Sequence, residues 1–496
     1  MSLAMSHTGM DTHGGGAGPD SGTATAGRSP SSSAEKTARE KSGTLWTVTA
    51  HIVALLVGSS VLAVVWTFAQ LGWVAGPAVV VAISVVTYYS SALLADCYRD
   101  PDHLGGAVHG EYIDAVRSYL GPKSVAFCGI IQYSVLWAAM VGYTITSSAS
   151  MCAVQSVNRF HRKWVGNDVG GGTSGVTYTV VFGAFQLLLS QLPSLENVAW
   201  LSVIAVATSF GYSSICLGLC AARWASHGDV RGTLAGAGAA VEDSWSEKVF
   251  NVLLAVGNIA ISYIYAPVLF EIQDTLKTPP SESSTMKKAS LYGLAMSAVF
   301  YLLLGISGYA AFGDDAPTNI LTGAAFHEPF WLVDIANVCV VVHFLGAYQV
   351  IAQPVFARLE ACVGGRWPES KFVTASYELR LLRRAPVAPA AVITMSPVKI
   401  VLRAAVIVAT TLVAALMPFF NAVLSFIAAL GFWPLAVYLP VRMHIARVKV
   451  RRGDARWWAL QGASMALLVV AVGMGVASVR DMARRLKEAA PFKTVD

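Results

Sequence analysis

Three groups of residues in this chain place polar chemistry where apolar packing is the norm. Gly58, Ser59 and Ser60 interrupt an apolar run that opens at Leu45. The first N–H groups of a helix are unpaired and carry the positive end of its dipole, so a break there suits a carboxylate. Gly257, Asn258 and Tyr263 form a second group in a later apolar run. Loosened carbonyls and the Asn258 side chain can accept hydrogen bonds from an amino group, and Tyr263 can close over the solute. The third group is ionisable: His51, His343 and Glu271. Ionisable residues inside a bilayer are functional candidates because a charge there is costly unless paired or neutralised. Histidine titrates near physiological pH and can carry a proton through a cycle. The competing reading is packing. Small residues let membrane helices approach closely, and a lone histidine is more often a neutral, hydrogen-bonded core residue. Asp96 and Asp334 fall near helix ends and read as interfacial caps.

The elements that position these residues are membrane helices. Mean hydropathy is +0.56. Only 13% of the 496 residues are charged, against about a quarter in soluble domains. Apolar runs long enough to span a bilayer number about eleven: residues 45–71, 77–95, 124–154, 175–192, 198–222, 249–270, 289–312, 329–356, 400–419, 422–441 and 457–479. Pro418 and Asn421 mark a tight turn between the ninth and tenth. Residues 108–120 are amphipathic and too polar to span, which places them at the interface or under the bundle.

Other classes are set aside by the same reading. The net charge of +6 is small and lies in loops, so nucleic acid is not an expected partner. No nucleotide-binding loop, kinase motif set or nucleophile elbow occurs, which argues against an ATP-driven pump and a membrane hydrolase. The seven cysteines include no C-x-x-C pair, so neither a metal site nor a disulfide framework is expected, and no cofactor is implied.

Residues 1–42 are rich in Gly, Ser, Thr and Ala and are expected to be a disordered cytosolic tail. Residues 43–480 form the membrane domain, and 481–496 a C-terminal tail. Lys and Arg bias the loops toward a cytosolic N-terminus. Arg480, Arg484, Arg485 and Lys487 run against that bias, since an odd span count puts them outside. The first helix of each half carries a break, at 58–60 and at 257–263. Paired interrupted helices at matching positions point to a transporter binding site, and five helices per half invert the second against the first.

The stretch 43–77 resembles the opening of the plant amino acid permeases of the amino acid/auxin permease family. It carries Gly-Thr-Leu-Trp-Thr, Ala50-His51-Ile52, Val57-Gly58-Ser59 and Ala69-Gln70-Leu71-Gly72-Trp73. The likeness continues through Asp96-Cys97-Tyr98-Arg99, Val141-Gly142-Tyr143-Thr144, Thr285-Met286-Lys287-Lys288, His343-Phe344-Leu345-Gly346 and Phe432-Trp433-Pro434-Leu435. It implies an all-α polytopic membrane protein of the amino acid–polyamine–organocation fold. It also implies proton-coupled amino acid uptake across the plasma membrane, with His51 and His343 matching histidines associated with transport. The segment Asn158-Arg159-Phe160-His161 departs from the family, which has a cysteine there, so no external disulfide is expected at that point.

A proton-coupled amino acid symporter is therefore the expected function, with amino acids, protons and the lipid bilayer as partners. Two alternatives stand beside it: a carrier of a related solute such as auxin or proline, and a non-transporting nutrient receptor.

Overall fold

The computed structural model describes residues 43–99, 108–164, 174–191, 199–237, 245–322, 325–375, 377–380, 392–417 and 419–488. The expected N-terminal tail and Pro418 lie outside them. The described residues are nearly all helical. α1 (Leu45–Leu56) begins on a capping box, in which Thr44 and Thr47 each accept a backbone N–H from the other. It stops at Val57-Gly58. A 3₁₀ turn, Ser59–Ala63, then leads into α2 (Val64–Asp96).

Gly72 divides α2. Its φ of 79° is left-handed, and a Cβ there would stand 2.4 Å from the Leu234 carbonyl oxygen. Only glycine meets both conditions without strain. The end of the first expected span and the start of the second therefore meet at a non-helical Gly72.

α3 (Tyr112–Leu120) is the expected amphipathic segment. Tyr112, Ala115 and Val116 are buried, and the helix packs against α4 (Pro122–Trp164). α5 (Gly175–Ser190) and α6 (Ala199–His227) complete the first half.

The second half repeats the opening pattern. α7 (Trp245–Ser262) ends in an irregular stretch. A 3₁₀ turn, Ala266–Val268, and then α8 (Leu269–Asp274) follow. The break was expected over 257–263, but residues 257–262 are helical and the irregular residues are Tyr263–Tyr265. Pro267 explains the displacement. It lacks an N–H and disfavours helical geometry in the residue before it.

Next come α9 (Glu282–Phe312), α10 (Phe330–Arg366) and α11 (Lys371–Thr374). An antiparallel hairpin of β1 (Tyr377–Arg380) and β2 (Val392–Met395) precedes α12 (Pro397–Leu416). α13 (Phe420–Gly431) passes through a π-helical turn, Phe432–Tyr438, into α14 (Leu439–Val448). The Leu435 carbonyl inside that turn accepts the Tyr112 hydroxyl at 2.7 Å, which moors α3 to it. α15 (Ala455–Glu488) closes the described chain and runs past the expected boundary at 480.

Nine helical runs among the described residues are long and apolar enough to cross a membrane. α1 and α5 are apolar but shorter, so length and composition alone do not return the expected count of about eleven. α2 packs on α9 and α7, α10 packs on α4 and α6, and α13 packs on α7 and α15. The basic end of α15 is locally balanced. Arg480 and Arg484 pair with Glu247 at the start of α7, and Arg484 and Arg485 pair with Asp481. All seven cysteines lie among the described residues, and no disulfide joins them.

Candidate functional site

The first break is held open by side chains from other helices. The last carbonyls of a helix have no partner within it. Here Leu56 O accepts the Tyr301 hydroxyl of α9 at 2.8 Å, and Val57 O accepts the Ser209 hydroxyl of α6. Tyr301 Oη also lies 2.8 Å from Ser60 Oγ. Tyr301 has one proton and gives it to Leu56, so Ser60 donates to Tyr301. Ser60 is thereby committed to the brace. The Ser59 side chain lies outside the described residues.

Gly58 borders open space. A Cβ added there would meet only Leu55 O, at 3.9 Å. Its backbone, at φ −128° and ψ −143°, is not left-handed, so neither a positive φ nor a close neighbour requires the glycine.

In the second interrupted span the expected residues divide into two roles. Gly257 is a packing residue: a Cβ there would fall 2.1 Å from Ser425 Oγ and 2.9 Å from Ser425 Cα of α13. Asn258 is buried, and neither end of its amide finds a partner among the described residues. Such an amide is costly to bury and suits a bound polar solute. Tyr263 is fully buried. Its ring lies 6.0 Å from that of Tyr301. Tyr301 thus touches both breaks, and the 3₁₀ turn of the first packs against α7.

The ionisable candidates are not brought together. His343 is buried between α10 and α6, with Nδ1 2.7 Å from the Ala205 carbonyl and its ring edge-on to Tyr212. The carbonyl can only accept, so Nδ1 carries a proton and the imidazole is held in one tautomer. His51 and Glu271 are exposed, and Leu55, one turn on from His51, is exposed beside it.

Asp96 does more than cap a helix end. It accepts Lys287 at 2.6 Å and the Ser283 hydroxyl at 2.8 Å. Beside it Arg99 grips Glu282 at 2.6 Å, and that pairing raises the guanidinium above its ordinary value. Asp334 accepts the Asn158 amide at 2.6 Å.

Backbone hydrogen bonds tie down the start of the first span and its break. Gly43 donates to Thr275 O at 2.9 Å and accepts from Lys277 N at 3.0 Å, which joins the start of α1 to the end of α8. At the break Ile320 N donates to Leu62 O at 3.0 Å, so the segment between α9 and α10 reaches the 3₁₀ turn. Sequence reasoning missed Tyr301 and Ser209. Both sit in apolar helices, and no local pattern distinguishes their hydroxyls from those of other membrane Tyr and Ser.

Residues 41–482 match the family model described as transmembrane amino acid transporter protein. Amino acid permease 6 of Arabidopsis thaliana is 44% identical over 456 residues, covering 92% of this chain and 93% of its own. Amino acid permease 1 of the same plant is 42% identical, covering 96% and 97%. Among solved structures, Mhp1, a nucleobase-cation-symport-1 family transporter in a closed conformation with bromovinylhydantoin bound, matches with a TM-score of 0.50 at 12% identity. That match covers 91% of this chain and 94% of Mhp1, and it bears on the fold alone.

Proposed function

This chain belongs to the transmembrane amino acid transporter family, among its plant amino acid permeases, and from that premise we propose that it imports amino acids across the plasma membrane together with protons. It is a transporter rather than an enzyme, and its solutes are amino acids. The finer reading concerns how it binds and drives them. The observation that carries it is the pair of interrupted spans sharing Tyr301.

In this reading the solute carboxylate sits against the start of the 3₁₀ turn after Gly58, where helix-terminal N–H groups favour an anion. The Asn258 amide and the loosened carbonyls near Tyr263 take the ammonium. Gly257 supports them by letting α13 approach.

A neutral zwitterion carries no net charge, so concentrating it needs an ion gradient. One proton entering with it is driven by about 2.3 kcal/mol per 100 mV of membrane potential. His343, already held as a hydrogen-bond donor to Ala205, is the inner candidate for that proton. His51 and Glu271 are the outer candidates in this scheme. The N-terminus is cytosolic in this scheme, in keeping with the loop charges.

The test is electrical. Adding a neutral amino acid should give an inward current that grows as external pH falls from about 7.5 to about 5.5, the range over which histidine titrates. The current should persist when choline replaces sodium. His343→Ala should flatten the pH response. A sodium-dependent, pH-insensitive current would defeat the proton coupling while leaving amino acid transport intact.

A further inference from the structure

A cleft separate from both breaks opens between α3, α4, α10 and α12, with a volume of about 1060 Å³. That is at the upper end of the range for a drug-sized ligand, roughly 300–1,000 Å³. One face of α4 forms its floor: Val125, Gly129, Ile130, Tyr133 and Trp137 recur at helical spacing. From Pro122 to Trp137 an α-helix rises about 22 Å, at ~1.5 Å per residue. One leaflet of a bilayer, headgroup included, is about 20–22 Å deep. The cleft therefore has the reach of a single lipid.

The chemistry of its walls is graded. The deep part is apolar, while Arg117 of α3 and Arg358 near the end of α10 line the same cleft beside the start of α4. Arg117 is exposed and shares its charge with Asp114 at 2.7 Å. Arg358 is exposed, and no ion pair is recorded for it among the described residues. The first turn of α4 adds the positive end of a long helix dipole at the same place. An apolar trough with a cationic mouth complements an amphiphile with a negative head and hydrocarbon tails.

We propose that this cleft binds one anionic diacyl phospholipid, its phosphate held by Arg117 and Arg358 and an acyl chain lying along α4. The site wedges between α4 and α10, which pack on each other, and α12, so an occupied cleft fills the space between those three helices.

The experiment uses the full-length protein purified in detergent, with phosphatidylserine and phosphatidylcholine of matched chains as probes. Native mass spectrometry counts bound lipid, and thermal unfolding reports its effect. The wild type should retain one phosphatidylserine and melt at a higher temperature when it is added, with a weaker response to phosphatidylcholine. The double variant Arg117→Gln/Arg358→Gln should bind phosphatidylserine about tenfold more weakly or worse, the scale of losing charge-assisted contacts. Its melting temperature in lipid-free detergent should be unchanged, because both side chains are exposed. Gly129→Leu keeps the arginines but fills the trough. A Cβ there would stand 3.7 Å from Ile113, an ordinary contact, so the variant folds and should lose the lipid. Glycerophosphoserine, a headgroup without chains, should not compete. Equal retention of phosphatidylserine by the double variant would overturn the proposal. So would displacement of the lipid by glycerophosphoserine alone, or equal binding of both lipids by the wild type.

Discussion

Tyr301 and Ser60 meet at the break of the first span, their hydroxyl oxygens 2.8 Å apart, with the Tyr301 proton directed at the Leu56 carbonyl. α9 thereby supplies to α1 the hydrogen bond that its own helix cannot. Tyr301→Phe would leave the Leu56 carbonyl with the Gly58 N–H at 3.1 Å and the Ser60 hydroxyl without its acceptor. A buried group left unsatisfied costs about 1–3 kcal/mol. The variant should melt earlier in detergent and lose transport rate, and Ser60→Ala should be milder because Tyr301 can still serve Leu56. Wild-type melting of Tyr301→Phe would show that the hydroxyl is not a brace.

The two glycines at the breaks should separate cleanly under substitution. Gly58→Ala has room and should express normally. Gly58→Val extends a branched side chain into the space beside the break, so it should reach the cell surface and fail in uptake. Gly257→Ala drives a methyl into Ser425 and should lower the folded yield, an overpacking cost of about 1–3 kcal/mol. Surface labelling alongside uptake distinguishes the two outcomes.

Arg99 and Glu282 join the end of α2 to the start of α9. The Glu282 side chain is only 4% exposed while that of Arg99 is 45% exposed. Removing the arginine takes the neutralising cation from a buried carboxylate, whereas removing the carboxylate leaves a half-exposed guanidinium, so Arg99→Gln should destabilise more than Glu282→Gln. The cost is about 1–3 kcal/mol, less than for a fully buried pair because water reaches the guanidinium. Chemical denaturation of the two variants in one detergent measures the order.

Glu328, in the segment before α10, is held below its ordinary value by a hydrogen bond from His161 and another from the Phe330 N–H. A carboxyl depressed in the folded state contributes stability that is complete above its ordinary value of 4.5 and is lost as pH falls through the lower folded value. Thermal stability scanned from neutral pH down to about 3.5 should therefore fall less steeply at its acid end in Glu328→Gln than in the wild type. Between about 7.5 and 5.5 Glu328 stays ionised, so a transport response over that range must arise elsewhere.

The legible parts of this fold were those with a local cause. The first break shows in the sequence because Gly58, Ser59 and Ser60 are weak helix formers in an apolar run. α3 shows because its apolar residues recur on one face. The second break was placed a turn too early, since Gly257 looked like the interruption when Pro267 sets it. The Asp96–Lys287 and Arg99–Glu282 pairs, the Tyr301 brace and the Val57–Ser209 contact join residues far apart in the chain. No spacing rule reports such contacts. Gly72 matched the resemblance, but its reason lies in the Leu234 carbonyl, which a one-dimensional reading cannot place beside it.

The ties at the start of the first span and at its break have a consequence for how this protein can be dissected. Gly43 to Thr275 and Lys277, and Leu62 to Ile320, are contacts between main-chain atoms. Alanine scanning leaves every one of those donors and acceptors in place and so passes over them. Proline at Lys277 or Ile320 deletes a single donor and leaves the partner carbonyl unanswered. One substitution loosens the start of the span and the other loosens its break. A pair of proline variants can thus probe the start of that span and its break one at a time, while every residue of the span itself keeps its side chain.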